Sequence, residues 1–139
     1  MAEWRKTMGV TYVKEVISPE ELFERYPLPE AHKKLKAEKD KEIAKVFTGE
    51  SDKFLVIVGP CSADNEDAVC DYTSRLAKVQ EKVNDKIIII PRIYTNKPRT
   101  TGEGYKGIVH QPDPEKAPDL HEGLIAMRKM HLRSIAETH

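Results

Sequence analysis

The run Phe54-Leu55-Val56-Ile57-Val58-Gly59-Pro60-Cys61-Ser62, answered by Ile87-Ile88-Ile89-Ile90-Pro91-Arg92, decides the fold class. Both apolar runs are continuous rather than alternating, the pattern of strands buried on both faces in a parallel sheet. Between them Asp64 or Asn65 is placed to cap a helix in which Val69, Tyr72, Leu76, Val79 and Val83 recur at spacings of three and four, closing at Asn84-Asp85. Strand, helix and strand at these lengths make a βαβ unit, whose right-handed crossover sets the strands parallel. Their C-terminal ends then share one edge, where α/β folds bind ligands. Cys61 follows the first strand and Arg92 the second. Neighbouring strands place them roughly 5 to 10 Å apart.

Beyond Arg92 the chain reads Ile93-Tyr94-Thr95-Asn96-Lys97-Pro98-Arg99-Thr100-Thr101, so Arg92, Lys97 and Arg99 set three cations within eight positions and no acidic residue neutralises them. Pro98 fixes its own φ and pushes Lys97 towards an extended conformation. Lys97 and Arg99, two apart, are therefore expected to point to the same side. Arg99 offers a planar fork suited to phosphate or carboxylate, Lys97 a mobile point charge, and Thr100 and Thr101 neutral donors. An anion site and a solvated basic loop both fit this stretch taken alone. Residues 102–118, punctuated by Gly102, Gly104, Gly107, Pro112, Pro114 and Pro118, form a loop too long for a mere connector. Its glycines do not join a strand directly to a helix, which excludes a dinucleotide loop.

The remaining chain frames this edge. A length of 139 residues suits a single domain, and no apolar run approaches the roughly 20 residues of a membrane span. Lys and Arg (23) balance Asp and Glu (23), which argues against nucleic acid or an acidic membrane surface as a partner. Met1 is followed by the polar Ala2-Glu3-Trp4-Arg5-Lys6, unlike a signal peptide, and two cysteines make no disulfide framework, so the expected compartment is the cytoplasm. Residues 3–17 read as an arm with a short strand over Val10–Val16. Ser18-Pro19-Glu20-Glu21 is a capping box opening a short helix that Pro27 and Pro29 stop. From Glu30 to Phe47 a charged surface helix carries a thin apolar stripe of Ala31, Leu35, Ile43, Val46 and Phe47, with Gly49 at its C-terminal end. Asp119 with Glu122 caps a last helix bearing Leu120, Leu124, Met127 and Ile135 along one side.

Cys61, in a glycine-proline turn at a strand end, is placed either to bind metal or attack an electrophile as a thiolate, or to pack as a small apolar residue. Cys70, beside Val69 on the helix, reads as packing. His32, His110, His121, His131 and His139 show no two-histidine zinc spacing on a helix.

Taken in order, Gly59-Pro60-Cys61-Ser62, Pro91-Arg92, Lys97-Pro98-Arg99-Thr100-Thr101 and Gly104-Tyr105-Lys106-Gly107 resemble the motifs of type I 3-deoxy-D-arabino-heptulosonate 7-phosphate (DAHP) synthases, which open the shikimate pathway. The likeness runs from about residue 12 to the end. Related enzymes of the 8-phosphate octulosonate type carry a different sequence in place of Lys-Pro-Arg-Thr. The resemblance implies an α/β fold, the N-terminal part of a (β/α)8 barrel preceded by a helical arm. In that barrel phosphoenolpyruvate condenses with erythrose 4-phosphate, a divalent metal ion polarises the aldehyde as a Lewis acid, and phosphate leaves. By matched position it implies Cys61 as one metal ligand, Arg92 and Lys97 as the catalytic pair that holds phosphoenolpyruvate, and Lys97, Pro98, Arg99 and Thr100 as the erythrose 4-phosphate site. Thr95-Asn96 departs from an aromatic-acidic pair of the family, and Gly102-Glu103-Gly104-Tyr105 from a shorter tryptophan-containing form; both bear on loop detail.

A barrel of this class needs about 250 residues. Residues 1–50 are thus expected to form the arm and its helices, and residues 51–139 the first two βα units of an incomplete barrel. The remaining metal ligands and phosphate-binding cations are expected outside this sequence. Two readings follow. In one, the chain is part of a DAHP synthase, inactive alone and assembled as a homo-oligomer or completed by a C-terminal chain. In the other, it is a non-catalytic truncated fragment that serves only as an interaction or assembly piece. In either, two parallel strands leave one edge unpaired and apolar faces wet.

Overall fold

A computed structural model describes residues 14–100 and 102–138. The expectations for residues 1–13 and for Thr101 lie outside the described residues. The elements run α1 (Pro19–Arg25), α2 (Glu30–Phe47), β1 (Phe54–Val58), α3 (Glu66–Val83), β2 (Ile87–Pro91) and α4 (Leu120–Thr138). None of these helices is long and apolar enough to cross a membrane.

β1 and β2 pair in parallel, Phe54 opposite Ile87 through Val58 opposite Pro91, with α3 as the crossover. Three of the four described helices start at a side-chain cap, α2 beginning after Pro29 without one. Ser18 Oγ accepts from Glu21 N–H at 3.1 Å with Pro19 at the first helical position, and Asn65 Oδ1 accepts from Ala68 N–H at 2.9 Å. Asp119 Oδ1 accepts from Glu122 N–H at 3.2 Å. Gly49 takes φ +76° just past α2, the left-handed turn that ends a helix. Lys14 to Val16, the described remainder of the expected strand, has no regular structure. That segment is held by isolated contacts instead of a ladder: Lys14 pairs with Asp119 at 2.6 Å and Ile17 N–H donates to His121 Nδ1 at 3.1 Å.

The expectation that β1 is buried on both faces is not met. Phe54 is 74% and Ile57 66% exposed, because α3 packs against β2, α2 touches β1 only lightly, and no described residue pairs with the second edge of β1. α2 buries no residue, so its apolar stripe stays at the surface, with Phe47 80% exposed.

The principal core lies under the C-terminal edge of the sheet. Ala63, Val69, Ile108 and Met130 form it, with Ile93, Ala126 and Met127 packed around them. A second cluster of Ile17, Leu22 and Ile125, flanked by Tyr26 and Leu124, fastens the arm to α4. Arg128 reinforces that seam: its Nε donates to Tyr26 O at 2.9 Å and its head stands 5.0 Å from the centre of the Phe23 ring.

The buried face of α4 follows the expected stripe only in part: Leu124 and Met127 pack against the two clusters, but neither is among the fully buried residues. Gly123, Ile125, Met130 and Ser134 are inside, while Leu120 is 46% exposed. Small and polar residues make the contact here: Ser134 Oγ and Thr73 Oγ1 share a buried hydrogen bond of 2.9 Å between α4 and α3, and a Cβ at Gly123 would stand 1.9 Å from Val109 O. Val79, expected inside α3, is 44% exposed for the same reason, since Thr73 and Cys70 sit on the buried face instead.

One side chain caps the free edge of β2. Gln80 Nε2 donates to Ile87 O at 2.8 Å and Ile89 N–H donates to Gln80 Oε1 at 2.6 Å, so the carboxamide takes the place of a neighbouring strand at two backbone positions. In this 139-residue chain Gln80→Leu is expected to lower stability by about 1–3 kcal/mol, because two half-buried backbone groups lose their partners. The urea midpoint of purified variant and wild type measures it; an unchanged midpoint would show that water serves this edge equally well.

Candidate functional site

Two loops meet beyond the C-terminal ends of β1 and β2, and backbone contact fixes their separation. Gly59 admits the chain so close that a Cβ there would stand 1.9 Å from Arg92 O. Arg92 N–H donates to Val58 O at 2.8 Å, and Ala63 N–H to Tyr94 O at 2.9 Å. The long glycine loop closes over the second of these: Lys97 N–H donates to Lys106 O at 2.6 Å and Val109 N–H to Thr95 O at 3.1 Å. Gly107, at φ +107°, leaves no room for a side chain, with Thr95 O only 2.3 Å from the position of a Cβ. Residues 59–63, 92–99 and 105–109 thus form one knot of backbone resting on Ala63 and Ile108.

The side chains of this knot meet as a cationic cluster around one sulfur. Lys97 Nζ donates to Cys61 Sγ at 2.5 Å. Arg92 Nη2 donates to Pro60 O at 2.8 Å, and its head stands 4.6 Å from the centre of the Tyr94 ring. Arg99 Nε and Nη2 both donate to Tyr105 O, at 3.0 and 2.9 Å. Cys61 is exposed, and the hydrogen bond and charge of Lys97, with the charges of Arg92 and Arg99 adding to them, hold its thiol below the ordinary range. Cys70 is the contrast: buried in α3, its thiol is pushed up by desolvation, as suits a packing residue.

Lys97 and Arg99 do not share a partner in the way their spacing suggests. Both act on Cys61, but the fork of Arg99 is turned to the carbonyl of Tyr105, which the glycine loop, with Gly104 at φ +80°, brings back towards it. Pro98 and Thr100 are exposed beside them. Sequence reasoning gave no role to three further groups of the knot. Tyr94 supports Arg92, while Ser62 Oγ and Tyr105 Oη are buried without a hydrogen-bond partner among the described residues. Burial, with the charge of Asp64, pushes the Tyr105 phenol up. The aromatic character of Tyr94 inside a basic loop was the one available signal.

The donor set fits a divalent cation in part. Cys61 supplies one thiolate at the strand edge, but among the described residues no group of three His, Cys, Asp or Glu side chains comes together. A groove of about 360 Å3 lined by Glu42, Leu76, Gln80, Ile88, Ile89 and Pro91 contains none of the cluster residues. It is the uncovered side of β2.

The DAHP synthetase I family model matches residues 28–139. The chain belongs to that family. It is 35% identical over 125 residues to the Phe-sensitive phospho-2-dehydro-3-deoxyheptonate aldolase of Escherichia coli K12, covering 90% of this chain and 35% of that protein. To the phospho-2-dehydro-3-deoxyheptonate aldolase of Haemophilus influenzae it is 36% identical over 118 residues, covering 85% of this chain and 32% of the relative. The solved structure of the corresponding aldolase from Francisella tularensis SCHU S4 superposes with a TM-score of 0.80 at 31% identity, covering 90% of this chain and 37% of that one. The chain therefore spans about a third of the length of these curated relatives, and the fold of its described residues, four helices and two parallel strands, is similar to part of a DAHP synthase structure.

A chemical consequence follows from the thiol environments. With a depressed pKa, Cys61 is expected to be thiolate at pH values where an ordinary thiol is protonated, so iodoacetamide should label it faster than Cys70 at pH 7. Lys97→Met removes the largest cause and should slow that labelling. Mass-resolved alkylation rates check it, and equal rates for wild type and Lys97→Met would contradict the assignment.

Proposed function

We propose that this chain is the N-terminal part of a DAHP synthase, its β1, α3, β2 and α4 being the first two βα units of a (β/α)8 barrel and residues 1–50 an arm outside it. In the assembled enzyme phosphoenolpyruvate condenses with erythrose 4-phosphate to give DAHP and phosphate, the entry step to aromatic amino acid biosynthesis. The observation that carries this reading is the convergence of Arg92, Lys97 and Arg99 on the edge that also bears Cys61.

Both substrates are anions, and the cluster matches them with unlike cations. Arg92 is clamped by Pro60 O and backed by Tyr94, so its remaining N–H groups present a fixed donor array to the phosphate or carboxylate of phosphoenolpyruvate. Lys97, whose head makes one hydrogen bond among the described residues, serves as the mobile charge between the two substrates. Tyr105 O holds the plane of Arg99, leaving other N–H groups of its fork for the phosphate of erythrose 4-phosphate beside Pro98 and Thr100. Fixed positive charge near the reacting carbons stabilises negative charge as it develops, without reorganisation at the moment of reaction. Cys61 would be one ligand of a divalent ion, which when bound supplies Lewis-acid polarisation of the aldehyde. The other ligands belong to the rest of the barrel in this reading.

The alternative, a non-catalytic assembly piece, draws on the wet apolar face of β1. In the barrel reading the same face is where further strands and helices pack, and the enzyme acts in the cytoplasm as a homo-oligomer or with a C-terminal chain completing it. Titration of the full-length protein with each substrate separates the two. Arg99→Ala is expected to weaken erythrose 4-phosphate about 10- to 100-fold, the loss of charge-assisted hydrogen bonds, and phosphoenolpyruvate much less. Equal affinities of wild type and Arg99→Ala for both ligands would remove Arg99 from the site.

A further inference from the structure

We propose that Tyr105 is a positioning residue for the sugar phosphate: its half-buried ring anchors the glycine loop, so that the carbonyl of the same residue aims Arg99 at that substrate. The inference rests on the reading of Arg99 given above and adds what sets its direction.

Arg99 has no fixed direction of its own. It is exposed, between the exposed Pro98 and Thr100. Among the described residues its head hydrogen-bonds to one oxygen, Nε and Nη2 both donating to Tyr105 O at 3.0 and 2.9 Å. Two donors on one acceptor hold a guanidinium in one direction and turn its other N–H groups away from that acceptor. The aim of Arg99 is therefore only as well defined as the placement of this carbonyl.

The chain before Tyr105 does not place it. Gly102, Glu103 and Gly104 are exposed, the two glycines lie at φ +74° and +80°, and a Cβ on either would meet nothing within 4 Å. The chain after it is packed: Lys106 O accepts from Lys97 N–H at 2.6 Å, Gly107 lies against Thr95 O, and Ile108 belongs to the core. Tyr105 stands at this boundary, the first residue after Gly102 that is not exposed. Its Oη is buried yet has no hydrogen-bond partner among the described residues. The ring, not the hydroxyl, makes the hold.

This anchoring is one-sided. Arg92 takes its direction from Pro60 O and Tyr94, and the backbone before Lys97 is pinned a second time where Val109 N–H donates to Thr95 O at 3.1 Å. Loosening Tyr105 thus frees Arg99 alone. A general loss of structure would weaken both substrates, whereas loss of aim weakens one.

Titration of the full-length protein with erythrose 4-phosphate and with phosphoenolpyruvate tests this. Tyr105→Ala is expected to weaken erythrose 4-phosphate about 3- to 10-fold, the cost of immobilising one rotamer-rich side chain on binding, and phosphoenolpyruvate less than about twofold. Tyr105→Phe, which keeps the ring, is expected to restore wild-type affinity. Gly104→Ala is a second route that leaves the core alone: nothing crowds a Cβ there, but φ +80° disfavours one, so the carbonyl shifts and the same selective loss is expected. In an Arg99→Ala background Tyr105→Ala is expected to cost nothing further, because two residues that act through one group are not additive. The positioning role is overturned, with Arg99 still in the site, by no loss in Tyr105→Ala and Gly104→Ala, by equal losses for both ligands, by a loss in Tyr105→Phe as large as in Tyr105→Ala, or by full additivity with Arg99→Ala. Unchanged erythrose 4-phosphate affinity in Arg99→Ala would instead overturn the reading on which it rests.

Discussion

Everything at the candidate site depends on the parallel pairing of β1 with β2. Because the strands run the same way in register from Phe54–Ile87 to Val58–Pro91, the turn after one and the basic loop after the other leave the sheet side by side. An antiparallel pair would send Cys61 and Arg92 to opposite ends. The crossover geometry is completed by the absence of a side chain at Gly59, which lets the two loops touch through backbone. The distance between a thiol and a guanidinium that are 31 positions apart in sequence is thus set by main chain, and flexible side chains only refine it.

The cluster is built to keep charge concentrated. Carbonyl oxygens rather than carboxylates hold Arg92 and Arg99, which orients the guanidinium groups without neutralising them. Elsewhere the chain does the opposite: Arg133 is matched by Glu66, Asp67 and Glu137, and Lys33, Lys36 and Lys39 of α2 by acidic residues a turn away. A balanced chain thereby carries one unbalanced patch. That patch lies at the edge where the proposed function seats the two anionic substrates.

What the sequence made legible was governed by period and stereochemistry. The βαβ unit, its caps at Ser18, Asn65 and Asp119, and the strand ends at Cys61 and Arg92 followed from runs and spacings that local physics fixes. The faces of α3 and α4 did not. Thr73 and Ser134 join the two helices by a buried hydrogen bond beside Val69 and Met130, and Gly123 lets α4 approach the backbone of Val109; neither contact is announced by apolar pattern. Ala63 and Ile108 entered the core from loops, where no periodicity announces burial. At the site, the three cations and Cys61 were visible as residues, but their partners were not. The carbonyls that hold Arg92 and Arg99 belong to Pro60 and Tyr105, and a backbone acceptor carries no signature in sequence. The exposure of β1 reflects its place at the edge of a two-stranded sheet, which a continuous apolar run cannot reveal.

A crystal structure of the full-length protein with phosphoenolpyruvate tests the central claim most directly, that this edge is an anion site framed by Arg92 and Lys97. The expected result is the ligand seated between them, with N–H donors on its oxygens at about 2.7–2.9 Å, the range of charge-assisted hydrogen bonds. Phosphoenolpyruvate bound elsewhere, with neither residue touching it, would contradict the account.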